Sequence, residues 1–170
     1  MKKIILAGAA ILCISLFSLS RAQEAGLSPE GGISIEFKIV CPGAGQSDCA
    51  KFAAHGIYKA LYVKNEAFLS LDDIVAAKVI DAEDASSAEG SALELRFNKD
   101  GTQKFNEITS KNAGRSMAVF VDGDLLAIIR IYDPVITGKI SIKNLDKAKA
   151  QDLAGRINKS VPADNSYFFF

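Results

Sequence analysis

Two stretches of strict alternation constrain this chain more than any other feature. Ile33, Ile35, Phe37 and Ile39 are separated by Ser34, Glu36 and Lys38, and Leu93, Leu95 and Phe97 by Glu94 and Arg96. Successive side chains on a strand point to opposite faces, so each stretch presents one apolar and one polar face. A chain written this way forms half-buried strands whose apolar faces need a cover. The second stretch leads directly into one: it ends at Asn98, a competent helix cap, and over residues 99–110 Phe105, Ile108 and Thr109 fall on one side of a helix.

Further elements follow from local chemistry. Ser47 or Asp48 caps an expected helix to about Ala54, and residues 57–63 read as a strand. Asp122-Gly123 between the apolar runs 117–121 and 124–131 is a strong hairpin signal, because a two-residue turn needs positive φ angles that Gly adopts at little cost. A last helix is expected to start at Asp146, with Ala150, Leu153, Ala154 and Ile157 as its buried stripe. Gly155 is expected to interrupt that helix, and Pro162 to end any continuation. The predicted fold class is α+β: a mostly antiparallel sheet with helices packed on one face.

The order of these pieces carries a family resemblance. Phe97-Asn98 closes an alternating strand, Phe105 sits on the inner side of the helix, and Thr109-Ser110-Lys111-Asn112-Ala113-Gly114 gives the pattern Thr-x-x-Asn-x-Gly. Asp122-Gly123, the strand after it and Pro134-Val135-Ile136-Thr137-Gly138 come next, while Leu71-Asp72-Asp73 forms an Asp-led turn ahead of a strand. On these residues, over 57–158, the chain resembles the head subdomain of the first periplasmic domain of SecD, a subunit of the bacterial preprotein translocase accessory complex. Ile129 stands where that family has a proline and Thr137 where it has a second glycine. The resemblance implies a SecD-periplasmic-head-like fold, a polypeptide-handling role without catalytic residues or cofactors, and translocase components as partners in export.

The N-terminus reads as a secretory signal peptide over residues 1–22: Lys2 and Lys3, an apolar core over 4–19, and Ser20-Arg21-Ala22 as the cleavage site. A retained membrane anchor is the alternative, and Cys13 lacks the neighbours a lipidated cysteine needs. Residues 23–32 form a short linker, 33–158 a single domain and 159–170 an aromatic tail. Cleavage removes Lys2, Lys3 and Arg21 and no acid from 20 basic and 20 acidic residues, leaving a mature net charge of −3. That balance argues against a nucleic-acid surface. The expected location is the periplasm, with no transmembrane helix in the mature chain.

In an oxidising compartment Cys41 and Cys49 are expected to form a disulfide that clips a loop. A metal or redox site that adds His55, the single histidine, is the sharper alternative, but the spacing supplies too few ligands and no Cys-x-x-Cys. Asp72-Asp73 and Glu83-Asp84 read as solvated turns rather than a calcium loop, and Gly43-Ala44-Gly45 lacks the Lys-Ser/Thr of a phosphate cradle. No catalytic, cofactor or metal site emerges.

What remains is an apolar sheet with edges, a surface suited to capturing an extended polypeptide by strand addition. Leu126 and Ile129 on the strand after Asp122-Gly123, and Tyr167, Phe168, Phe169 and Phe170 in the tail, are the candidate binding surface. The leading expectation is a non-catalytic periplasmic domain that binds polypeptide or an envelope protein. A small-molecule or inhibitor-type domain would instead show a deep closed pocket. An enzyme would need Asp72, Asp73 or Asp122 to converge with His55.

Overall fold

A computed structural model of the chain describes residues 32–52, 60–81 and 90–161. The expected signal peptide, His55, Glu83-Asp84 and the tail residues Tyr167 to Phe170 lie outside the described residues. Along the chain run β1 (Ile35–Ile39), β2 (Cys49–Phe52), β3 (Leu61–Lys64), β4 (Leu69–Ser70), β5 (Ile74–Ile80) and β6 (Ser91–Phe97). Helix α1 (Lys99–Lys111) follows, then β7 (Ser116–Val121), β8 (Asp124–Arg130), β9 (Lys139–Leu145) and α2 (Lys147–Ser160).

The fold is α+β, and its strands divide among antiparallel sheets. One is four-stranded in the order β4-β1-β7-β8, one three-stranded in the order β5-β6-β9, and β2 and β3 form a separate hairpin. The two alternating stretches become the middles of the two larger sheets. Ile35, Phe37 and Ile39 of β1 and Leu93, Leu95 and Phe97 of β6 are all buried in one core with Phe105 of α1 and Ala150, Leu153, Ala154 and Ile157 of α2. Phe37 and Phe97 meet edge to face at 5.8 Å between ring centres, and Phe97 meets Phe105 at 5.0 Å. Burying aromatic rings in this arrangement adds roughly 0.5–1.5 kcal/mol per pair beyond their area.

A second, smaller core lies on the other side of the four-stranded sheet. Ala118 and Phe120 of β7 alternate away from the main core and are covered by Leu61 and Val63 of the hairpin, with Phe52 packed on Phe120 at 5.0 Å. β7 is therefore buried on both faces, which explains its unbroken apolar run Met117 to Val121. Cys41, just past β1, is bonded to Cys49 at the start of β2 and ties the hairpin to the sheet.

Three local expectations need correction. Residues 49–52 are a strand rather than part of a helix from Ser47 or Asp48, because β2 pairs along its length with β3 and the disulfide holds its first residue. Gly155 does not interrupt the last helix: α2 runs through it to Ser160, since Gly155 lies on the exposed side and the buried stripe anchors both flanks. Asp73 is not solvated but 5% exposed, for reasons that belong to the site.

Candidate functional site

The turn from α1 into β7 separates two clefts, and the Thr-x-x-Asn-x-Gly pattern builds it. Thr109 is fully buried, and its hydroxyl donates to the Phe105 carbonyl at 2.7 Å while accepting the Val135 N–H at 2.9 Å. Asn112 caps the helix end, donating to the Ile108 carbonyl at 2.8 Å and accepting from Arg115 at 3.0 Å. The other Arg115 nitrogen donates to the Val40 carbonyl at 3.2 Å, joining the turn to the end of β1. Gly114 takes φ +82° and donates to the Ile131 carbonyl, a conformation that a side chain disfavours. Each residue of the pattern thus holds backbone in place.

On one side of that turn lies an open apolar cleft of about 320 Å³. Phe105, Met117, Ile129, Ile131 and Ile140 line it, and the segment 132–137 forms its lip. Tyr132 and Ile136 on the lip are 76% and 73% exposed, an unusual position for large apolar side chains. The Thr109–Val135 hydrogen bond fixes this lip to α1. Beside the cleft, β8 forms one edge of the four-stranded sheet, and no backbone partner joins its outer side among the described residues. Of the residues expected to bind, Ile129 lines the cleft, and Leu126 is the extra residue of a bulge in β8, half-buried against the main core.

On the other side of the turn lies a larger cleft of about 520 Å³. Its floor is apolar, with Ile39, Phe68 and Ile108, and its rim polar, with Asp48, Lys64, Glu66 and Arg115. The Lys64 ammonium hydrogen-bonds Asp48 and lowers its carboxyl from the usual range.

Of the acids weighed for catalysis, Asp73 and Asp122 are engaged in structure, while Asp72 is exposed and its backbone carbonyl accepts the Asn98 side-chain amide at 2.9 Å. Asp73 accepts from the Ser70 N–H at 3.0 Å and from Lys104 at 2.7 Å, and its own carbonyl accepts the Asn98 N–H. That hydrogen bond to Asp73 raises the Lys104 ammonium above its ordinary value, against the opposing pull of burial. Asp122 sits in the β7–β8 turn at φ +50°, accepts from the Ser34 N–H at 2.9 Å and pairs with Arg156 of α2. Burial acts to raise the Asp122 carboxyl, but the Ser34 and Arg156 hydrogen bonds and the Arg156 charge outweigh it and hold the group below its ordinary value. Among the described residues no three His, Cys, Asp or Glu side chains cluster to hold a metal, and no helix is long and apolar enough to cross a membrane.

The described residues thus form an antiparallel α+β domain with an open cleft on either side of the α1–β7 turn. The chain belongs to the family of the SecDF P1 head subdomain, whose model matches residues 50–161. It is similar to the protein translocase subunit SecD of Acidaminococcus fermentans, 32% identical over 96 residues that cover 52% of this chain and 23% of the relative. It is also similar to SecD of Synechocystis sp., 37% identical over 111 residues that cover 58% of this chain and 24% of the relative. The chain thus spans about a quarter of the length of these relatives. In solved structures its fold is similar to SecDF described as a membrane component that enhances protein export, with a TM-score of 0.60 at 18% identity over 77% of this chain and 64% of that one. A second SecDF structure, in a super-membrane-facing form, gives a TM-score of 0.59 at 19% identity over 77% of this chain and 19% of that one.

Proposed function

We propose that this protein is a non-catalytic polypeptide-binding domain of the periplasm, accessory to protein export across the envelope, and that its N-terminal segment is the signal that sends it there. The observation that carries this reading is the apolar cleft with Tyr132 and Ile136 held out on its lip beside the unpartnered β8 edge. An extended chain offers what such a site lacks: apolar side chains for the cleft and backbone groups for the edge. The clefts are open troughs, which favours a polypeptide over an enclosed small molecule. The export context comes from the SecD and SecDF relatives, and translocase components are the partners it suggests.

In-cell photocrosslinking from positions 126 and 136 tests the proposal. Adducts with many secreted chains or with translocase subunits are the expected result. A single dominant envelope protein would replace export handling with a dedicated partnership, and the absence of any protein adduct would favour the small-ligand alternative.

A further inference from the structure

The two clefts share one end of the four-stranded sheet. Ile39, on the floor of the larger cleft, is directly opposite Met117, on the floor of the smaller one, and Met117 is in turn opposite Ile129. The row Ile39–Met117–Ile129 therefore crosses three neighbouring strands on the core-facing side of the sheet. Adjacent strands lie about 4.8 Å apart, so the two ends of that row are about 10 Å from each other. Above it runs the last part of α1. Phe105 and Thr109 line the smaller cleft while Ile108 and Asn112 line the larger, so the helix end and the turn to Arg115 form the ridge between them.

We infer that the two clefts form a single bidentate site for an extended polypeptide that crosses the ridge and places one apolar side chain in each. This rests on the polypeptide-binding reading above and adds the ligand's pattern. An extended residue advances about 3.3 Å, so three residues cover the direct distance and passage over the ridge adds one or two more. The ligand is thus an unfolded segment with two large apolar residues separated by about three or four others. The rims differ in the same sense. The lip of the smaller cleft is apolar at Tyr132 and Ile136, whereas the larger cleft is bordered by charges of both signs, Asp48, Lys64, Glu66 and Arg115. Beyond the anchor in the larger cleft the segment accordingly continues with polar residues. Once the first anchor is seated, the second binds as an intramolecular event at an effective concentration in about the millimolar range.

The test measures binding of labelled synthetic peptides to the purified protein. One set carries a single Phe in a Gly/Ser background, and another carries two Phe separated by about one to seven residues. The expected result is a maximum near three or four intervening residues, at least about tenfold tighter than the single-Phe peptide. Ile136→Ser at the lip of the smaller cleft and Ala67→Glu at the exposed wall of the larger one avoid the core and report each half. Either substitution is expected to abolish the gain from the second Phe. If single-Phe peptides bind but a second Phe adds nothing at any spacing, the bidentate site is wrong and the polypeptide-binding reading stands. If no peptide binds, both are overturned.

Discussion

The hydroxyl of Thr109 accepts the backbone N–H of Val135 at 2.9 Å, and so a fully buried side chain in α1 positions the lip of the apolar cleft. Thr109→Val keeps the shape and removes the acceptor, leaving a part-buried N–H without a partner. Such a loss costs about 1–3 kcal/mol. The expected outcome in urea denaturation is a lowered midpoint of that size, accompanied by weaker peptide binding at the cleft. Thr109→Ser retains the hydroxyl and should restore binding more fully than stability.

The disulfide between Cys41 and Cys49 closes a loop with a sequence separation of 8. On the chain-entropy estimate, replacing both cysteines with Ser removes about 2.5 kcal/mol by freeing the unfolded state. Equilibrium denaturation of the oxidised protein against the double variant measures the difference. Little or no difference would mean that the clip leaves the global equilibrium unchanged.

Two glycines should respond in opposite directions to the same substitution. Gly138 has φ +63°, and a Cβ there would lie 2.5 Å from the Thr102 hydroxyl, so Gly138→Ala combines left-handed strain with a clash. The strain alone costs about 1–2 kcal/mol. Gly155 lies inside α2 with open space where a Cβ would go, and Gly155→Ala should stabilise by up to about 1 kcal/mol through helix propensity. Thermal unfolding of the two variants gives the signs directly.

Acid stability should depend on Asp122. Its folded-state carboxyl is held below the unfolded value, so its contribution is present above the unfolded range near pH 4 and is lost as pH falls through the folded value. Asp122→Asn should therefore lower stability at neutral pH and flatten the decline between about pH 5 and the acid extreme. Lys104 has the opposite sign: its raised folded value keeps its contribution intact below the unfolded lysine range, near 10.4, and loses it only as pH rises through the folded value. An unchanged acid limb in the Asp122 variant would show that its pairing with Arg156 does not set the pH dependence.

The family model begins at residue 50, yet β1 lies before it and occupies the four-stranded sheet between β4 and β7. A chain cut to residues 50–161 loses Ile35, Phe37 and Ile39 from the core and separates β4 from β7. It should show no cooperative unfolding transition by circular dichroism. A cooperative transition would mean that the matched segment holds its fold without this strand.

Much of the architecture was legible because it depends on nearest neighbours. The alternation at Leu93, Leu95 and Phe97 gave β6, Asn98 caps α1 by accepting the Gly101 N–H, and the stripe Ala150, Leu153, Ala154 and Ile157 is the buried face of α2. The turn at Asp122-Gly123 has the positive φ angles its residues favour. Reading failed where a partner distant in sequence decided the outcome. The local capping signal at Ser47 and Asp48 was outweighed by pairing of β2 with β3, and Asp73 was drawn from solvent by Lys104 and the Ser70 N–H. The segment 132–137 carried no periodic signal at all, so Tyr132 and Ile136 went unnoticed as a lip.

By itself the sequence determined most of the strands and helices, though not β2, and the family resemblance, since periodicity, caps and turn chemistry act over a few residues. Only the tertiary structure decided that the strands separate into distinct sheets, that β7 is covered on both faces, and that Ile39 and Ile129 reach two clefts beside one ridge. Those relations depend on pairing and packing across many tens of residues, where the free energy belongs to the assembled core and not to any segment of the chain.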